Sequence, residues 1–204
     1  MDIPATNTIT SSQSKKFHPG FYVNLNGEKL NGYIWINKDR SGAFQFLNEL
    51  NSTSSAIPYD SCKLISSKEG TFDVFLVTRS RTFINKSDYT IVNQDSSSTS
   101  SIPLKLLYRT SRFSLYQYEN KEMQNFFVFD GNEIQELRIK YRYLTDWERS
   151  KYYLNLPKYQ TDPQYRLQII TLMNYQLTKK QRDLIELTEY DAKSLTALLK
   201  ALDT

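Results

Sequence analysis

Apolar positions between Phe17 and Leu144 come in short runs that alternate with polar ones, and turn-forming residues close the runs. Alternation at a period of two places successive side chains on opposite faces of an extended chain, so each run predicts a half-buried β-strand. FYVNL and EKLNGYIWI flank Asn26-Gly27, a dipeptide suited to the positive φ of a type I′ turn, which predicts a hairpin. Asn31-Gly32 falls inside the second of these strands and reads as a bulge. Ser41-Gly42, Glu69-Gly70 and Asp130-Gly131 punctuate the runs that follow. The stretch from Leu106 to Leu137, LLYRTSRFSLYQYENKEMQNFFVFDGNEIQEL, holds three aromatic and aliphatic runs separated by short polar turns, the pattern of an antiparallel meander. DSSSTSS, from Asp95 to Ser101, reads as a long loop within the β region.

Beyond Leu144 the period changes. Thr145-Asp-Trp-Glu148 has the form of a capping box and predicts a helix that stops near Pro157. Asp162-Pro163 predicts a second start, with Tyr165, Ile169, Leu172 and Met173 as its apolar stripe. Thr178-Lys-Lys-Gln181 predicts a third, and Thr188-Glu-Tyr-Asp191 a fourth carrying Leu195, Leu198, Leu199 and Leu202. None of these is long enough to be stable alone, so each must pack on its neighbours or on the sheet. Such stripes also suit a groove for a partner helix, although an intramolecular core is the commoner use. The expected fold class is α+β: an antiparallel β-rich body, as a curled sheet, sandwich or open barrel, followed by a bundle of about four short helices. The expected organisation is a flexible lead-in over 1–16, a β-rich domain over 17–144 and a helical region over 145–204 packed on the sheet.

Composition supports a packed core. The 204 residues are 39% apolar and 14% aromatic, and 15 Tyr and 11 Phe against 6 Gly favour pleated surfaces. No window reaches the roughly 18 consecutive apolar residues of a membrane-spanning helix. Cys62 is the only cysteine, so an internal disulfide is excluded and a small apolar strand residue is the expected role.

Charge is localised. Residues 1–137 carry 14 basic and 14 acidic side chains, and residues 159–204 carry six of each. The whole excess of +4 therefore lies in 138–158, where Arg138, Lys140, Arg142, Arg149, Lys151 and Lys158 face only Asp146 and Glu148. Arg138, Lys140 and Arg142 alternate with Ile139, Tyr141 and Tyr143, so an extended backbone places cations on one face and apolar groups on the other. Cations interleaved with Tyr141, Tyr143, Trp147, Tyr152 and Tyr153 suit the binding of phosphate or an anionic sugar with rings available for stacking. The same residues also fit a sheet-to-helix junction with core aromatics and solvated cations.

Catalytic patterns are sparse. His18 is the only histidine, so a nucleophile system or multi-histidine metal site would depend on it alone. Asp130, Glu133 and Glu136 cluster in sequence and admit a carboxylate-dependent hydrolase, but the turn accounts for Asp130 and a solvated strand face for the two Glu. No glycine-rich loop precedes a helix. The expectation is a protein that is not an enzyme and takes no cofactor or metal. Anion binding, to nucleic acid or acidic polysaccharide, is one alternative to a plain binding or assembly role.

Two segments resemble a family of uncharacterised secreted, cell-envelope proteins of Bacteroidetes. PGFYVNLNGEKLNGYIWI is similar to its opening hairpin, with Gly32, Tyr33 and Ile34 in the Gly-Tyr-Ile places. LKLLYRTSRFSLYQYENKEMQNFFVFDGNEIQEL is similar to its central meander, with Leu115, Tyr116 and Tyr118 in the places of its Leu-Tyr and following aromatic, and Arg109–Arg112 where that pattern has a glycine. The resemblance implies export to the periplasm or outer-membrane surface, with the signal peptide absent from this sequence; a cytoplasmic location is the alternative. The expected partner is another envelope protein or a glycan. It transfers no catalytic residue.

Overall fold

The computed structural model describes residues 16–36, 42–50, 52–80, 83–84, 91–92, 98–120, 123–147, 159–174 and 176–203. Ten of its strands form one mostly antiparallel sheet that does not close. The chain divides into two compact units, Met1–Val77 with Ser100–Leu106, and Thr78–Thr99 with Leu107–Thr204.

In the first unit, β1 (His18–Asn24) pairs with β2 (Lys29–Trp35), β2 with β3 (Ala43–Leu47) and β3 with β4 (Ser55–Pro58). On its other side β1 pairs with β5 (Cys62–Ser67), and β5 with β6 (Gly70–Arg79). Alternate positions of these strands, with Tyr59 from the 3-10 turn between β4 and β5, build an aromatic core of Tyr22, Ile34, Phe44, Phe46, Tyr59 and Ile65. The Tyr22 ring meets Phe44 and Phe46 edge-on, with centroids 5.5 and 5.0 Å apart. Cys62 is buried in the same core, and its thiol donates to the Tyr59 carbonyl at 3.4 Å.

Two turn details differ from the sequence pattern. The β1–β2 connection is a three-residue loop, since Asn24 N–H bonds the Glu28 carbonyl and Gly27 N–H bonds Asn24. Gly27 has φ +84°, but Asn26 is not among the positive-φ residues, so the turn is not type I′. The Asn24 side chain decides this by accepting from the N–H groups of Asn26 and Glu28, which fixes the longer loop. Gly32 is no bulge: the β1–β2 register runs unbroken through Gly20↔Gly32, and the irregularity falls between Val23 and Asn24 against β5. Glycine is required at 32 because a Cβ there would lie 2.2 Å from the Leu47 carbonyl oxygen and 2.7 Å from the Phe46 ring.

The second unit contains the meander. Following β9 (Ser98–Arg109) come β10 (Ser114–Glu119), β11 (Gln124–Phe129) and β12 (Ile134–Leu137), adjacent in that order. The second half of the Ser/Thr run is therefore strand, since β9 starts at Ser98, while 95–97 lie outside the described residues. Two short ladders complete the strands, β7 (Phe83–Ile84) with β8 (Ile91–Val92) and β13 (Lys140–Tyr143) with β14 (Tyr159–Asp162).

Instead of about four C-terminal helices, the described residues hold three: α1 (Gln164–Leu172), α2 (Lys179–Leu187) and α3 (Ala192–Leu202). The stretch opened by Thr145 turns helical at Asp146 and Trp147, and 148–158 lie outside the described residues. Asp162 ends β14 opposite Lys140, so it does not cap α1, whose N-cap position is taken by Pro163 without a side-chain bond. Thr178 forms the expected capping box with Gln181. The last helix is capped by Asp191, not Thr188, whose hydroxyl instead donates to the Leu184 carbonyl at the end of α2.

Strand and helix residues share one core here. Leu115, Phe126, Val128 and Leu137 of the meander pack with Tyr165, Ile169 and Met173, with Ile185, and with Leu195, Leu198, Leu199 and Leu202. Tyr190 ties the layers by donating to the Leu137 carbonyl and accepting from Phe126 N–H. Burial holds its phenol well above the usual tyrosine range. Among the described residues no helix is long and apolar enough to cross a membrane.

Candidate anion-binding site

β12 and β13 are separated by a two-residue joint, Arg138 and Ile139, and this joint determines where the cations go. α1 holds both main-chain polar groups of Arg138: Tyr165 N–H donates to its carbonyl at 2.7 Å, and its own N–H donates to Gln168 Oε1 at 2.8 Å. Gln168 Nε2 in turn donates to the Glu136 carbonyl at 2.9 Å. A side-chain amide thus takes the place an added strand would occupy along this stretch of backbone.

The Arg138 side chain is exposed and lines a cleft of about 1040 Å³ within the second unit. Arg112, Phe113, Asp130, Leu167 and Gln168 are among the other lining residues. Arg166 also lines it, but its guanidinium is tied to Glu186 Oε2 at 3.2 Å and to the Thr188 carbonyl at 3.2 Å. Arg112 and Arg138 form no ion pair among the described residues. Asp130 accepts from the N–H groups of Asn132 and Glu133, which hold its carboxyl below the usual carboxylate range.

Along β13, Lys140 and Arg142 are exposed while Tyr141 is half-buried against Tyr159, with centroids 6.2 Å apart. Burial, then Tyr159, raises the Tyr141 phenol. Arg142 donates to Gln160 Oε1 across the ladder. Tyr143, 52% exposed, accepts from Ile91 N–H at 2.8 Å, and Trp147 is 68% exposed. Arg149 and Lys151 lie outside the described residues. No family model, curated protein or solved structure matches this chain. The site therefore stands on its own geometry.

Glu136 departs from the expected solvated face. It is 7% exposed and accepts from Asn125 Nδ2 at 2.7 Å and Ser80 N–H at 2.8 Å. Alternation along β12 turns it away from Gln135, which lines the cleft, so it does not join Asp130 there. Among the described residues no three His, Cys, Asp or Glu side chains are placed to hold a metal ion. Arg112 escaped the sequence pattern because it stands alone in a turn, and only the fold brings it to the cleft that Arg138 lines.

Proposed function

We propose that this chain is a non-catalytic binding module of the cell envelope that holds acidic polysaccharide across the β12–β13 joint. The carrying observation is the exposure of Arg138, Lys140 and Arg142 in the one segment that holds the chain's entire charge excess. Arg138 serves the cleft and Lys140 with Arg142 serve the strand beside it, while the exposed Trp147 supplies a ring.

The ladder favours a sugar over a nucleic acid. Its register sets Asp162 opposite Lys140 and Gln160 opposite Arg142. Those acceptors suit a ligand that brings hydroxyl donors along with its carboxylates, whereas the phosphate groups of a nucleic acid bring acceptors alone. Of the carboxylates that line the cleft, Asp130 is engaged in its turn and Glu186 with Arg166, which leaves Asp162 without the second acid that hydrolysis needs and supports binding. The exported setting follows the resemblance of the opening hairpin and meander.

Retention on an immobilised polyuronate, measured against salt, tests the reading. Arg138→Ala/Lys140→Ala/Arg142→Ala is expected to abolish retention near physiological salt, and each single variant to flatten the logarithmic salt slope by about one. Unchanged retention of the triple variant would remove the proposal. Preferential capture of a single-stranded oligonucleotide of equal charge would replace the sugar with nucleic acid.

A further inference from the structure

We infer that Gln168 is the positioning residue for Arg138, so that α1, which makes its own contacts with the core, sets the aim of the cation in the cleft. This rests on the binding reading above and goes beyond it by naming the device that makes the site rigid.

A long cation on a freely jointed segment loses much of its binding energy to ordering, whereas a fixed backbone leaves only the side-chain torsions to settle. The joint at Arg138 has neither of the flanking ladders to fix it, since β12 ends at Leu137 and β13 starts at Lys140. Two groups of α1 do that instead: the Gln168 amide takes the Arg138 N–H and the Glu136 carbonyl, and the Tyr165 N–H takes the Arg138 carbonyl. The helix in turn is fixed by Tyr165 and Ile169, 2% and 1% exposed, and by the Tyr165 hydroxyl, which donates to the Thr188 carbonyl at 2.6 Å. Gln168 is three residues after Tyr165 and one before Ile169, so its Cα cannot shift without disturbing both. Its amide reaches the joint as donor and acceptor together, a pairing that neither a hydroxyl nor a carboxylate at physiological pH reproduces at this length.

Gln168→Met keeps the length and removes both hydrogen bonds. In titrations with a polyuronate oligosaccharide it is expected to lose about tenfold in affinity, as Arg138→Ala does, and the double variant to lose no more than either single one. Combined with Lys140→Ala, the losses are expected to add. Gly32→Ala, which strains strand packing in the first unit while the cleft lies in the second, controls for instability and is expected to leave affinity unchanged. Hydrogen exchange at the Arg138 N–H is expected to be slow in the parent and to accelerate in Gln168→Met. Should that variant fail to fold, Gln168→Asn, one methylene too short to reach, carries the same expectations. Additive losses with Arg138→Ala, or unchanged affinity, would overturn the positioning role. If Arg138→Ala/Lys140→Ala/Arg142→Ala itself binds normally, the binding reading falls first, and exchange at Arg138 still reports whether the clamp exists.

Discussion

Glu136 carries a carboxyl into a nearly dry setting, and burial raises its affinity for a proton more than Ser80, Asn125, Arg138 and Arg79 together lower it. Because the folded state binds the proton more tightly than the unfolded chain, this group's stabilising contribution is present below the unfolded pKa and is lost as pH rises through the folded one. Glu136→Gln is therefore expected to gain stability relative to the parent between pH 4 and pH 7 in urea unfolding, and parallel stabilities across that range would refute the burden assigned to the carboxylate. Cys62 offers a second check. Burial, followed by Asp60, pushes its thiol up to about 11, so alkylation at neutral pH is expected to be slow in the folded protein and to accelerate as denaturant opens the core. Gly32→Ala is expected to cost about 1–3 kcal/mol, because strands must part to admit its Cβ, and a thermal midpoint equal to the parent's would contradict that contact. Sequence alone showed Cys62 as a strand residue but not Glu136 as a buried one. A glutamate at an alternating position looks the same whether its face is open or covered, and only the neighbouring Asn125 and Ser80 distinguish the cases.

Elements were legible where local chemistry decides them. The Thr178 box involves atoms only three residues apart, and the stripes of α1 and α3 do become core. Legibility failed where a side chain had two local uses. Asp162 could cap a helix or end a strand, and the ladder to Lys140 claims it. Thr188 could open α3, but its hydroxyl closes α2 while Asp191 accepts from the N–H groups of Lys193 and Ser194. Removing that cap with Asp191→Ala is expected to cost about 1 kcal/mol, whereas Thr188→Ala should leave the start of α3 intact. In calorimetry the former corresponds to a fall of about 2–4 °C in the midpoint. A larger loss for Thr188 as measured by α3 amide exchange would reverse the assignment of the cap. The β12 edge shows a device no pattern announces: one glutamine from a helix 30 residues later satisfies an exposed stretch of strand backbone.

For the molecule as a whole, charge placement was readable because it is a sum along the chain, while the cleft was not, because Arg112 reaches it from a turn and Arg138 from the β12–β13 joint of the second unit. The two cores differ in kind as well, an aromatic one within the first unit and a mixed strand and helix one within the second. The proposed anion recognition belongs to the second alone. Backbone amide chemical shifts during titration with a polyuronate oligosaccharide test that assignment most directly. Shifts are expected at Arg112, Arg138, Lys140, Arg142 and Tyr143 and along the facing strand β14, with the aromatic core around Tyr22 and Phe46 unmoved. Shifts confined to the first unit, or none at all at saturating sugar, would contradict the account.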